Sequence, residues 1–577
     1  MRPLRLLALP LALAACSDAS PSPAPDATTD VAPDAAPDVA PDTAPAPDAA
    51  KPPVRNLPAA PPPTTVVAEP GVRRDVLLVP TPAAARNPTT QAATPAEYDR
   101  VQVLRYRADT ATPTPARAVL VMVPGFLGGG GSFDPLARSL VRRSVAANSP
   151  VEVWALDRRS NLLEDLRGMH AAAAARDPDV AAGYYLRQDV SVGGQRFEGF
   201  RGASDPALSY MAEWGLATLV NDLRAVVARI PDSRQHAVLV GHSLGGSIVE
   251  AYAAWDFDGT PGYRSIAGLA MIDGVAGGTS VTEAQWRMGG GGGPVGLGNV
   301  GVDALRRTGP WFVALPFIGV KALAVSEIVA RRAALAPDAV VADNDRDMLF
   351  RLLLSVPRVP PLTNAAAMGF AFDESACPLA FARMSVGAPV GPVMRGPNPF
   401  DPMEMLSAPS SATETYRWTD APAVTPREFT PIANAVAAWT ATPSNFSEWY
   451  FPTRLGLDVA ALGDLNLATD AWQVREGIRA THGREVDVPV LGVAAAFTAR
   501  ASAYDRVRDR VAAAVGSDLP GAGATRAMPA GFRALAATGM THIDPLTAAD
   551  DNPANPVPEA LLSFATGATR GTVTPTP

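Results

Sequence analysis

Apolar positions along this chain follow two rhythms, which take turns from about residue 100. Ala118-Val119-Leu120-Val121-Met122-Val123 is an unbroken apolar run closed by Pro124-Gly125, the pattern of a strand covered on both faces. Val151–Leu156, Ala237–Val240, Ile266–Ile272 and Val488–Val493 repeat it, and Val101–Tyr106 reads as an edge strand. Between these runs the spacing becomes helical. Phe133, Leu136, Leu140 and Val141 share one face of Phe133–Ala147, and Leu216, Leu219, Leu223 and Val226 share one face of Trp214–Ile230. A further helix is predicted from about Leu244 to Trp255. Such alternation predicts an α/β fold, a mostly parallel sheet flanked by helices, with ligands at the carboxyl ends of its strands.

After Asp273 the alternation lapses for roughly 210 residues. That stretch holds the glycine run Gly289–Gly293, helical pieces near 303–335, 338–355 and 428–440, and irregular Pro-rich chain. Alternation resumes at Val488–Val493, with a helix near 502–515 and a last sheet segment around 531–540. One core over 71–274 and 486–577, interrupted by a large, mainly helical cap over 275–485, accounts for this order.

The front of the chain is different. Arg2 and Arg5 precede the short apolar run Leu6–Ala15, too short to span a bilayer and arranged as a signal peptide. Residues 17–70 contain 15 prolines and five Ala-Pro-Asp repeats, a composition with little to bury that predicts an extended, disordered tether. Of the formal charge of −8, residues 17–50 hold seven Asp and no Lys or Arg, which leaves the body nearly balanced. No basic face is implied, and nucleic-acid binding is not expected. With only Cys16 and Cys377, a disulfide scaffold or cysteine-rich metal site is excluded.

Leu13-Ala14-Ala15-Cys16 resembles the lipobox of bacterial lipoproteins. The resemblance implies cleavage before Cys16 and acylation of that residue, and several acyl chains together anchor stably. It places the protein in the bacterial cell envelope, with Ser17 favouring the outer membrane.

Chemistry concentrates in Gly241-His242-Ser243-Leu244-Gly245, between a predicted buried strand and a predicted helix. A strand-to-helix bend this sharp strains the serine backbone and leaves no room for side chains at Gly241 or Gly245. It presents Ser243 Oγ at a helix N-terminus, where peptide N–H groups can bind an oxyanion. At this point the chain resembles the α/β-hydrolase superfamily, over approximately 100–273 and 486–565. The resemblance implies that Ser243 attacks a carbonyl carbon and forms an acyl-enzyme, with the Leu244 N–H as half of the oxyanion hole. The other half is expected from Pro124-Gly125-Phe126-Leu127, where relatives commonly carry His-Gly; Phe126 N–H is the preferred donor, with Leu127 next. Gly128–Gly131 fits neither a P-loop nor a dinucleotide fingerprint, so no cofactor is expected.

A serine hydroxyl needs a base. Of the five histidines, His542 follows the last predicted strand, where the superfamily places that base. His242 lies within the bend and is assigned to packing, His236 is at the wrong end of its strand, and His170 and His482 fall in polar connections. Superfamily members usually carry the acid after the strand equivalent to Val488–Val493, but Ala494–Arg500 holds no carboxylate. Asp273 matches a minority arrangement one strand earlier and is preferred, with Asp505 as the alternative. Asp544 is expected to hold its loop.

Asp343–Asp347 fails as a calcium loop at its sixth and twelfth positions, so no metal is expected. Asp157–Asn161 is read as an ion-pair network, and Cys377 as packing. Trp311-Phe312, Leu315, Phe317-Ile318, Phe370 and Phe372 are candidates for an apolar acyl pocket or for the core of the cap itself. The expectation is a membrane-tethered serine hydrolase acting on a small-molecule or lipid carboxylic ester. An amidase, peptidase or thioesterase, or a non-catalytic binding protein on a hydrolase scaffold, are the alternatives.

Overall fold

The unbroken apolar runs form the middle of a nine-stranded sheet. The computed structural model describes residues 56–57, 65–112, 114–187, 189–202, 205–276, 281–290, 300–313, 320–341, 359–463, 465–505, 507 and 531–575. The strands are β1 (Thr65–Glu69), β2 (Val72–Pro80), β3 (Arg100–Ala108), β4 (Ala118–Val123) and β5 (Val151–Asp157), followed by β6 (Ala237–His242), β7 (Gly268–Ile272), β8 (Val490–Ala494) and β9 (Phe532–Ala536). Their spatial order is β1-β2-β3-β5-β4-β6-β7-β8-β9. From β5 onward every pair in that order is parallel, and β1, β2 and β3 complete the sheet antiparallel.

Side chains alternate between two cores. Val119, Val121 and Val123 of β4 join Leu239, Leu269 and Met271 beneath helices α2 (Leu216–Val227) and α3 (Leu244–Ala254). Leu120 and Met122 join Val240, Ile272 and Leu491 beneath α1 (Asp134–Ala146) and α7 (Val557–Ala568). Two covered faces are why these strands carry no polar position, and each such Val or Leu contributes about 1.5–3 kcal/mol relative to exposure.

Two expectations at the front are corrected. The sheet begins at Thr65, inside the stretch assigned to the tether, and Val101–Tyr106 lies within β3, flanked by β2 and β5. The sequence does not mark β2 as a strand, because Arg73-Arg74-Asp75 breaks its apolar pattern. These charges find partners instead of solvent: Arg74 bonds Asp134 at 2.9 Å, and Arg107 of β3 bonds Asp75 at 2.6 Å.

The long insertion between β7 and β8 packs α4 (Val320–Leu335) against α5 (Asn364–Phe372) and α6 (Ile432–Trp439). It is less helical than predicted, since 387–390 pairs with 417–420 and 393–397 with 405–409 as antiparallel ladders. The helical piece near 303–335 is divided between Val302–Thr308 and α4, and the helix near 502–515 is described only as the short turn Ala501–Tyr504. Cys16, most of the tether, much of the 338–355 helix, Leu315, Phe317-Ile318 and Asp343–Asp347 lie outside the described residues.

The insertion is tied to the strand ends it covers. Gly129 N–H donates to Phe446 O at 2.7 Å, Glu448 N–H to Leu127 O at 2.8 Å, and Gly131 N–H to Ser444 Oγ at 3.0 Å. On the other side, Thr541 Oγ1 and the Ile543 N–H both donate to Arg383 O, at 2.7 and 3.2 Å. Register brings the loops following β4, β6, β7, β8 and β9 to this one edge: Val123 pairs with Gly241, His242 with Ile272, Ile272 with Val493, and Ala494 with Ala536.

Candidate active site

Ser243 stands where β6 turns into α3, with φ 54° and ψ −124°. A non-glycine residue there is strained by about 1–3 kcal/mol, and neighbouring backbone must hold it. Ser243 N–H donates to Ile272 O at 2.9 Å, and Gly246 N–H to Ser243 O at 2.9 Å. The glycines of the bend are required by proximity. A Cβ on Gly241 would lie 2.2 Å from Gly245 O, and one on Gly245 would lie 2.1 Å from Val123 O.

Asp273 follows β7, and its side chain is buried. Its Oδ2 accepts from His542 Nδ1 at 2.7 Å and from Phe497 N–H at 3.0 Å. Oδ1 accepts from Ala495 N–H, Thr498 N–H and Thr498 Oγ1, at 3.0, 2.8 and 2.7 Å. Burial alone would raise this carboxyl. The His542 contact and the peptide N–H groups more than offset it and hold the pKa well below the usual carboxylate range. Asp273 is therefore an acceptor only, so His542 carries its proton on Nδ1 and keeps a lone pair on Nε2. The alternative acid, Asp505, ends the turn Ala501–Tyr504, while the carboxylate on the imidazole is that of Asp273. The loop after β8, which holds no acid, instead supplies the N–H groups that grip one.

His242 is placed with His542. Its Nε2–H donates to His542 O at 2.9 Å, and the two rings lie 4.5 Å apart. Burial and the neighbouring His542 push its pKa down to about 3, so it is a neutral prop for the His542 loop. Asp544 holds the same loop, accepting from Thr541 N–H at 2.8 Å and from Ser385 and Thr430 of the cap. His236 is buried beside Gly571 at the far end of β6, and His482 bonds Glu485 at 2.9 Å. His170 is less solvated than expected. It sits in the helix Arg167–Ala175 with its pKa pushed down to about 4 by burial and the charge of Arg331.

Ser243, His242 and His542 line one cavity at the strand ends, together with Gly125, Phe126 and Leu127. Its remaining wall is mostly apolar, with Ser132, Ser326 and Ser447 among the polar exceptions, and comes largely from the cap, including Phe372, Leu379, Phe381, Phe400, Trp439 and Phe446. Trp439 stacks on Phe446 at 4.4 Å, and Phe372 lies 4.7 Å from it. Of the aromatic candidates named from sequence within the described residues, Phe372 lines this cavity. Trp311, Phe312 and Phe370 pack elsewhere, Phe312 against Tyr450 and Phe370 against Tyr416 and Trp418. Cys377 also lines the cavity, buried, with its thiol pushed up to about 12 by burial.

Leu244 is the first residue of α3, so its N–H has no carbonyl partner within that helix. Phe126 lies in the loop after β4, directly following Gly125, whose Cβ position would be 3.2 Å from Ser243 Oγ. Two contacts beside the site have no recognisable signal in the sequence. Phe497 stacks on the His542 ring at 3.8 Å and 14° while 49% exposed, and Glu448 pairs with Arg158 at 2.5 Å from 290 positions away. Among the described residues, no group of three or more His, Cys, Asp or Glu side chains could hold a metal ion.

The strand order, the bend after β6 and a large insertion between late strands define the α/β-hydrolase fold. No protein-family model matches the chain, and no curated protein matches it. Among solved structures, a hypothetical protein of Pseudomonas aeruginosa PAO1 is similar at 13% identity over 85% of this chain and 98% of its own, with a TM-score of 0.28. DcsB, solved in complex with its substrate analogue, is similar at 13% identity over 86% and 100%, with a TM-score of 0.31. A bacterial heroin esterase is similar at 16% identity over 36% and 46%, with a TM-score of 0.20.

Proposed function

We propose that this protein is a serine hydrolase that cleaves carboxylic esters with an apolar acyl group. The observation that carries the reading is the buried 2.7 Å bond from His542 Nδ1 to Asp273, made by a histidine that shares a cavity wall with a strained serine. Nε2 of His542 takes the Ser243 Oγ proton as Oγ bonds to the carbonyl carbon, and the carbonyl π electrons move to oxygen. Asp273 stabilises the imidazolium that results. The oxyanion is received by the N–H groups of Phe126 and Leu244. The alkoxide then leaves with the proton held on Nε2, and water repeats the sequence on the acyl-enzyme. An apolar cap wall favours an acyl chain over a charged one.

A fluorophosphonate probe is expected to label the protein once, at Ser243, and a p-nitrophenyl ester is expected to compete. Labelling elsewhere, or none, counts against the reading. A panel of matched esters, amides and thioesters, read as kcat/KM, separates ester hydrolysis from its chemical neighbours. The Leu13–Cys16 segment supports a second part of the proposal, attachment to the envelope membrane through Cys16. Cys16→Ser is expected to move the enzyme from the membrane fraction to the soluble one, and unchanged fractionation would reject the anchor.

A further inference from the structure

Arg158 follows β5 and is 3% exposed. Its guanidinium pairs with Glu448 and lies 5.5 Å from the ring centre of Phe451. It also binds three carbonyls of a single short loop. Nη1 donates to Gly128 O at 3.1 Å, and Nη2 donates to Gly125 O at 3.0 Å and to Pro124 O. An ion pair with Glu448 would need none of these contacts.

Their consequence follows from peptide geometry. In a planar trans peptide the C=O and N–H groups point in opposite directions, and the Gly125–Phe126 bond is trans. With Gly125 O tied to the guanidinium, the N–H of the same unit, that of Phe126, is turned away from Arg158. Gly125 also faces the nucleophile, since its Cβ position would lie 2.7 Å from Ser243 Cβ and 3.2 Å from Oγ. The guanidinium on the carbonyl side, although paired with Glu448, donates a charge-assisted bond that further polarises the peptide and strengthens its N–H as a donor.

We infer that Arg158 is a positioning residue for the oxyanion hole, fixing the direction of the Phe126 N–H and polarising it from behind. The inference rests on the serine-hydrolase reading and adds to it a group that touches neither substrate nor nucleophile. The planar fork of arginine is what the task needs, because a lysine keeps the charge and the Glu448 pair but cannot span three carbonyls.

The test compares a p-nitrophenyl ester with its thiono counterpart, in which sulfur replaces the carbonyl oxygen and accepts hydrogen bonds weakly. Arg158→Lys is expected to lower kcat for the oxygen ester by about 10- to 100-fold with little change in KM, below the full loss of an oxyanion donor. Its oxygen-to-thiono rate ratio is expected to fall by a similar factor. Glu448→Gln, which removes the opposing carboxylate but none of the carbonyl contacts, is expected to keep at least the wild-type ratio. A merely structural role would lower both substrates together and leave the ratio unmoved, which overturns the inference. If Arg158→Lys does not fold, Arg158→Gln is read in the same way, and an unchanged ratio in it has the same force. Ser243→Ala is run in parallel. Retained ester hydrolysis there overturns the underlying reading and this inference with it, whereas loss there with an unmoved Arg158 ratio removes this inference alone.

Discussion

Ser243→Ala is expected to lower kcat for p-nitrophenyl ester hydrolysis by on the order of 10⁴-fold or more, leaving only what binding and the oxyanion donors supply. The size of the effect follows from the absence of a substitute. The other nucleophile-bearing side chains on the cavity wall are His242, Cys377, His542 and three serines, of which Ser132 and Ser326 donate to carbonyls of their own turns and Ser447 Oγ has no hydrogen-bond partner to act as base. His242 is committed to a carbonyl, the buried thiol of Cys377 is held protonated, and His542 is committed to Asp273 through Nδ1. Alanine adopts φ 54° no more readily than serine, so the melting temperature of this variant is expected to stay within a few degrees of wild type. Ser243→Gly is expected to be equally inactive but to melt higher, because glycine relieves about 1–3 kcal/mol of backbone strain. Hydrolysis within tenfold of wild type in either variant would remove Ser243 from the mechanism.

The second large effect is expected at Asp273. Asp273→Asn keeps the shape of the side chain but replaces one acceptor oxygen with an NH2 group, in a site where every neighbour donates. Either the amide opposes His542 Nδ1–H and the ring turns its lone pair away from Ser243, or it opposes the 495–498 backbone. A loss in kcat of about 10³- to 10⁴-fold is expected, with a small change in KM. Because Asp273 is held below the usual carboxylate range, it stays ionised through mildly acid pH. The deficit is therefore expected to persist when each enzyme is compared at the pH of its own maximal kcat, and a deficit that disappeared there would remove Asp273 from the mechanism. Asp505→Asn is expected to remain within about twofold of wild type, as an ordinary substitution away from the site.

What could be read from sequence was what is local. Strands buried on both faces announce themselves by lacking polar positions, and the bend at Ser243 by glycines that its own backbone requires. Asp273 was legible because it ends a recognisable strand and because Ala494–Arg500 offers no rival. The positive contribution of that empty loop was not legible. Three of its N–H groups and the Thr498 hydroxyl hold Asp273, and backbone donors leave no trace in residue type. Arg158 reads as a member of an ion-pair network, which it joins, but Glu448 lies 290 positions away and nothing local marks it as the partner. β2 was hidden for the opposite reason, since its charged residues imitate a surface segment until their buried partners are known. Phe497 looks like a stray exposed aromatic until its ring is seen lying on the imidazole.

The ties between the insertion and the strand-end loops run to both sides of the cavity. Ser444, Phe446 and Glu448 hold the loop after β4, and Arg383, Ser385 and Thr430 hold the loop that carries His542. Because residues 275–485 precede Val488 and His542 along the chain, the two loops share one scaffold and are braced by the same event, the seating of the insertion on the sheet. A single cut within the insertion is therefore expected to loosen both loops together, and faster amide exchange in 125–131 and 541–544 alike would register it.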